Sequence, residues 1–271
     1  MCELLGMSSN RPSTVNLSIS TLASHGAGAV SLRDGWGVAY SEGPDVRLIK
    51  DPGPASDSDW LRFLGDHSLR SNIVIAHIRT ATMGARAYRN TQPFIRELGG
   101  RVHFFAHNGS LPHIFEKGGF DSAQFTPIGD TDSERAYCGL LDRLRHIWRP
   151  RQVPGLQERL SVVSAFAEEL RTFGPANFLY SDGDVLFAHG HRRLQASTTK
   201  VEPPGLVYLH RLCPGPEQSS IAKGLTISGA DQSLTLVASV PLNDEPWTDL
   251  GEGEVIAIQN GEVVARHQAT I

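Results

Sequence analysis

Met1-Cys2-Glu3-Leu4-Leu5-Gly6 opens the chain and places a cysteine at the second position. Initiator methionine is trimmed when a small residue follows, so Cys2 is expected to carry a free α-amine beside its thiol. A thiol attacks as thiolate and has an unperturbed pKa of about 8.5. An α-amine titrates at roughly 7.7 to 8.0 and can take the thiol proton near neutral pH. Nucleophile and base then share one residue, and no distant histidine is needed. In the plainer reading, Cys2 is a mildly apolar residue entering a first strand, 2–7, at the edge of the core.

Further along, an apolar run over residues 73–78 ends in Arg79-Thr80-Ala81-Thr82-Met83-Gly84. Next come Asn90-Thr91-Gln92-Pro93-Phe94 and a second apolar run, 102–106, leading into His107-Asn108-Gly109. Gly129-Asp130-Thr131-Asp132-Ser133-Glu134 then opens a helical stretch. With Cys2, Asp34-Gly35-Trp36-Gly37, Ser239-Val240-Pro241-Leu242 and Trp247, this series resembles, in order and spacing, the glutaminase domain of class II glutamine amidotransferases. These are N-terminal-nucleophile (Ntn) hydrolases, and the likeness is nearest to their stand-alone YafJ-like branch. The resemblance spans nearly the whole chain and implies one α+β domain over residues 1–271, folded as a four-layer αββα sandwich of the Ntn-hydrolase type.

The resemblance also implies roles. Cys2 would attack the side-chain amide of glutamine, giving a γ-glutamyl thioester that water cleaves. Asn108, through its side-chain amide, and Gly109, through its backbone N–H, match the oxyanion hole. Asn-Gly after a strand is also a common hairpin turn. Arg79 would grip the substrate α-carboxylate and Asp132 the α-ammonium. The alternatives are a surface ion pair for Arg79 and a helix N-terminal acid for Asp132, with Asp130 and Glu134 able to fill such roles and leave Asp132 free. Thr82 matches a substrate-side hydroxyl. Thr80 stands where many relatives have an aromatic residue and Met83 where many have histidine, two departures in the pocket wall.

Composition is that of a soluble globular chain. A chain of 271 residues, 40% hydrophobic and 20% charged, can bury a substantial core. Its net charge of −4 supplies no basic field for nucleic acid, and the Arg-rich piece at 143–151 reads as a solvated helix end. No apolar run reaches membrane-spanning length and no leader pattern is present, which predicts a cytoplasmic protein. Three cysteines without CxxC spacing argue against a disulfide framework or zinc site. His189 and His191 could share one strand face, but no acidic cluster or HExxH accompanies them, so no metal or other cofactor is expected. His77 and His107 read as hydrogen-bonded structural histidines.

Periodicity and capping residues predict helices over 12–24, 57–69, 131–148 and 156–173, the third opened by a Thr131/Glu134 capping box. Strands are expected at 35–40 and 46–50 as a hairpin, at the two apolar runs, and as short pieces from 177 onward. Residues 180–271 show no glycine-rich phosphate loop or other mark of an acceptor domain. Three functions remain open: a glutaminase feeding a separate ammonia-accepting protein, a hydrolase of another γ-glutamyl small molecule in thiol metabolism, or a glutamine-sensing subunit that keeps Arg79 and Asp132 without using Cys2.

Overall fold

The computed structural model describes residues 2–17, 34–55, 58–67, 69–80, 84–116, 120–122, 124–195, 197–213, 219–222, 225–228 and 232–269. The elements are β1 (Glu3–Leu17), β2 (Trp36–Glu42), β3 (Asp45–Asp51), α1 (Asp59–Asp66), β4 (Arg70–Ile78), β5 (Phe94–Leu98), β6 (Arg101–Gly109), α2 (Asp132–Leu144) and α3 (Leu156–Leu170). Then follow β7 (Ala176–Ser181), β8 (Leu186–His189), β9 (Arg193–Leu194), β10 (Val201–Glu202), β11 (Val207–Cys213), β12 (Ser219–Ala222), β13 (Leu225–Ser228), β14 (Gln232–Ala238), β15 (Thr248–Asp249), β16 (Val255–Gln259) and β17 (Glu262–His267).

Two antiparallel sheets carry the fold. One runs β15-β11-β14-β1-β4-β2-β3, with β13 and β12 attached beside β1, and the other runs β17-β16-β8-β7-β6-β5. Alternation along each strand sends successive side chains to opposite faces. In β1, Leu4 joins the cluster between the sheets while Leu5 and Met7 join the outer one packed by α1; in β6, Phe104 and Ala106 face the other sheet while Phe105 faces α2 and α3. Gly6 keeps the sheets close, since a Cβ there would meet Leu179 Cδ1 at 3.1 Å. Helix, sheet, sheet and helix thus form the αββα sandwich.

Helix α2 starts where Thr131 Oγ1 accepts the Glu134 N–H at 3.2 Å. The expected reciprocal half of the capping box is replaced: Glu134 accepts from Gly129 N at 2.7 Å and from Arg96 at 2.5 Å. The helix expected over 12–24 is not formed at its start, because β1 continues to Leu17 and pairs with β4 and β13. Serines favour such a segment when their hydroxyls find cross-strand partners, as Ser13 Oγ does on Gln232 Oε1 at 2.5 Å. Pro12 falls in the irregular stretch between Ser8 and Ser13, where a missing N–H is tolerated. Residues 18–24 lie outside the described residues. β1 is also central rather than marginal, flanked by β4 and β14.

Candidate active site

Cys2 immediately precedes β1, and strand alternation continued from Leu4 puts it on the inter-sheet side. Asn108, in step with Phe104 and Ala106, lies on the inter-sheet face of β6. The two meet at one end of the sandwich: Asn108 Nδ2 donates to Cys2 O at 2.6 Å and to Ser239 Oγ at 3.3 Å. Cys2 Sγ stands 3.3 Å from both Thr80 N, which donates to it, and Thr80 O, which accepts from the thiol. Burial pushes the Cys2 thiol up, and the Thr80 N–H opposes that shift by stabilising thiolate. A thiol raised in this way needs a base to become nucleophilic.

Asn108-Gly109 is not a hairpin turn. β6 runs through it against β7, with Asn108 opposite Asn177 and Gly109 opposite Ala176. The chain has to be glycine at 109, since an added Cβ would lie 2.7 Å from the Pro175 carbonyl carbon and 2.8 Å from His107 Nε2. A cavity of about 280 Å³ collects Cys2, Thr80, Asn108 and Gly109, with Ser110, Pro175, Arg192, Arg193, Leu194 and Val201 contributing its outer wall.

Arg79 and Asp132 are buried but do not line that cavity. Arg79 follows β4 and donates through Nη2 to Gly84 O at 2.9 Å and through Nη1 to Asp34 O at 3.3 Å. It is therefore no surface ion pair. Asp132 is not left free by its acidic neighbours: Asp130 pairs with Arg89, Glu134 with Arg96, and Asp132 itself accepts Leu111 N and Ser133 N, each at 2.8 Å. Thr82 lies outside the described residues. Of the histidines, His107 Nδ1 shares a hydrogen bond with Ser133 Oγ at 2.9 Å, as expected, but among the described residues neither ring nitrogen of His77 has a hydrogen-bond partner. Burial holds His77 neutral, its pKa pushed down to about 3.

Behind the site, Asn177 and Arg193 were given no role from sequence, and Ser239 stood in the quoted series without one. Asn177 Nδ2 donates to Asn108 O at 3.1 Å and to Arg192 O at 2.8 Å, fixing the backbone that carries the amide. Arg193, buried, binds Glu3 at 3.0 Å and also donates to Ser239 O, tying the residue after Cys2 to the residue that follows β14. Ser239 Oγ accepts the Leu4 N–H at 2.9 Å. Short polar residues flanking apolar runs, at 177 and 239, are the signal that marks them. Among the described residues, no helix is long and apolar enough to cross a membrane.

The αββα sandwich is of the Ntn type, and a thiol, a side-chain amide and a strand-borne glycine meet at its open end. The chain belongs to the class II glutamine amidotransferases, whose family model matches residues 1–271, the whole of it. It is 35% identical over 260 residues to YafJ of Escherichia coli (strain K12), named as a candidate glutamine amidotransferase, covering 94% of this chain and 96% of that one. The crystal structure of a predicted glutamine amidotransferase from Pseudomonas aeruginosa PA01 is 36% identical, covers 97% of this chain and 100% of its own, and superposes with a TM-score of 0.70. Glutamine phosphoribosylpyrophosphate amidotransferase from B. subtilis shares the fold, with a TM-score of 0.59 at 16% identity, over 98% of this chain and 49% of its own.

Proposed function

We propose that this protein hydrolyses the γ-amide of glutamine or of a related γ-glutamyl compound, with Cys2, freed of Met1, as nucleophile. The observation that carries the reading is the meeting of Cys2 and Asn108 across the sheet ends, in one cavity with Gly109. Cys2 Sγ bonds to the amide carbon while the Cys2 α-amine takes the thiol proton. Negative charge gathers on the carbonyl oxygen, where Asn108 Nδ2 and Gly109 N are the donors. Collapse breaks the C–N bond, the α-ammonium gives its proton to the departing nitrogen, and water then cleaves the thioester to glutamate and free thiol. Because burial raises the thiol, an internal base on the same residue answers a real need.

Arg79 is assigned the substrate α-carboxylate and Asp132 the α-ammonium, with Thr82 as a further contact. Backbone partners hold both charged groups in advance, which lowers the ordering cost when substrate arrives. Asp132 accepts three hydrogen bonds from Leu111 and Ser133, and a carboxylate has about four lone-pair sites. One remains for an ammonium. The test is ammonia release from glutamine by wild-type protein and the Cys2→Ala variant. Turnover should fall below detection in the variant with its melting temperature unchanged; undiminished turnover would remove Cys2 from the mechanism.

A further inference from the structure

The Cys2 cavity does not end at its own wall. Pro175, Arg192 and Val201 line it and also line a second cleft of about 630 Å³, which continues past Arg171, Thr172, Gly174 and His191 to Glu168 and Glu252. The first chamber is apolar around the thiol; the second is charged. Its charges are unevenly spent. Arg192 is paired with Glu252 at 2.5 Å, and Glu168 faces His267 at 3.8 Å. His191 is held neutral, burial pushing it down to about 4. Arg171 is different: it forms no ion pair among the described residues, and its buried Nε has no acceptor. The guanidinium lies close to Gly253, where a Cβ would meet Nη1 at 2.5 Å and Cζ at 2.9 Å.

A glutamine amide nitrogen carries nothing that could reach such a cleft. We infer that this second cleft is a leaving-group site, and that the preferred substrate is a γ-glutamyl amide whose amine half carries a carboxylate received by Arg171. This rests on the hydrolase reading above. In the reaction, Cys2 displaces that amine instead of ammonia, the amine leaves with the proton taken from the thiol, and the bonds otherwise form and break as described. Remote contacts of this kind raise kcat/KM by aligning the scissile bond, and a guanidinium suits a carboxylate bidentately.

The experiment pairs γ-glutamyl amides of ω-amino acids of two, four and six carbons, each against the same compound with its carboxylate capped as the uncharged amide. kcat/KM is measured for wild type, Arg171→Ala and Arg171→Lys, and binding of each pair is measured calorimetrically on Cys2→Ala protein with and without Arg171→Ala. At least one acid should exceed its capped partner by tenfold or more in both assays. Arg171→Ala should bring that ratio to near one and Arg171→Lys should restore part of it. Ratios near one for every pair in wild type, or a ratio untouched by Arg171→Ala, overturn the leaving-group assignment. Preference in binding without any turnover would instead keep the site and defeat the hydrolase reading.

Discussion

Replacing Gly109 by alanine adds one methyl group where β6 and β7 leave no room. The new carbon would sit 2.7 Å from the Pro175 carbonyl carbon and 2.8 Å from His107 Nε2, and nearer still to Pro175 O. Carbon atoms rest about 3.5 to 4.0 Å apart, so the strands have to part by roughly 1 Å, against a tolerance of about 0.5 Å for a working constellation. Misplacement on that scale costs on the order of 100-fold in rate, and overpacking costs about 1 to 3 kcal/mol in stability. The expected result is a kcat for ammonia release down by about 100-fold or more, with a lowered melting temperature. Alkylation of Cys2 by iodoacetamide should change little, because the thiol is positioned by Thr80 and not by Gly109. A Gly109→Ala protein that turns over glutamine within threefold of wild type would refute the requirement for close approach and the donor role built on it.

Asn108→Ala removes an oxyanion donor and leaves Cys2 O without its partner; kcat should fall by about 100- to 1000-fold, and a change confined to KM would contradict the role. Arg193→Met breaks a buried pair and strands Glu3, so chemical denaturation should show a loss of about 3 to 5 kcal/mol; an unchanged midpoint would show that Glu3 tolerates isolation. Burial lowers His77 and His189 to about 3 and His103 and His191 to about 4, from an ordinary 6.5. The unfolded chain takes these protons first, so their contribution is complete above pH 6.5 and is lost as pH falls. Each imidazole should cost about 1.4 kcal/mol at pH 5.5. A urea midpoint that stays level or rises between pH 7.5 and 5.5 would oppose this.

The frame of the fold was legible because burial wrote it plainly. The runs ending at Ile78 and Ala106 are strands buried on both faces, and Thr131 caps α2 as its spacing implied. The failures have local causes. Residues 12–17 carry helix-start signals, yet a hydroxyl partner on β14 and the open edges of β4 and β13 draw them into a strand. By itself Asn108-Gly109 fits a hairpin turn as well as a pair of donors; the flanking motifs favour the second, and the structure puts the pair inside β6, opposite Asn177 and Ala176. The Leu111 N–H that Asp132 accepts belongs to a loop whose path depends on tertiary structure, so this contact could not be read from local pattern. The Glu3–Arg193 pair spans 190 positions, a separation that local patterns cannot register.

The central claim is that Cys2, as the N-terminal residue, carries the γ-glutamyl group. Acid-quenching the protein during turnover of glutamine and mapping its peptides by mass spectrometry tests this most directly. The account predicts an N-terminal peptide that begins at Cys2, lacks Met1, and bears a γ-glutamyl adduct on the thiol that disappears once substrate is exhausted. Turnover by protein that retains Met1, or an adduct on Cys138 or Cys213 with Cys2 unmodified, would contradict it.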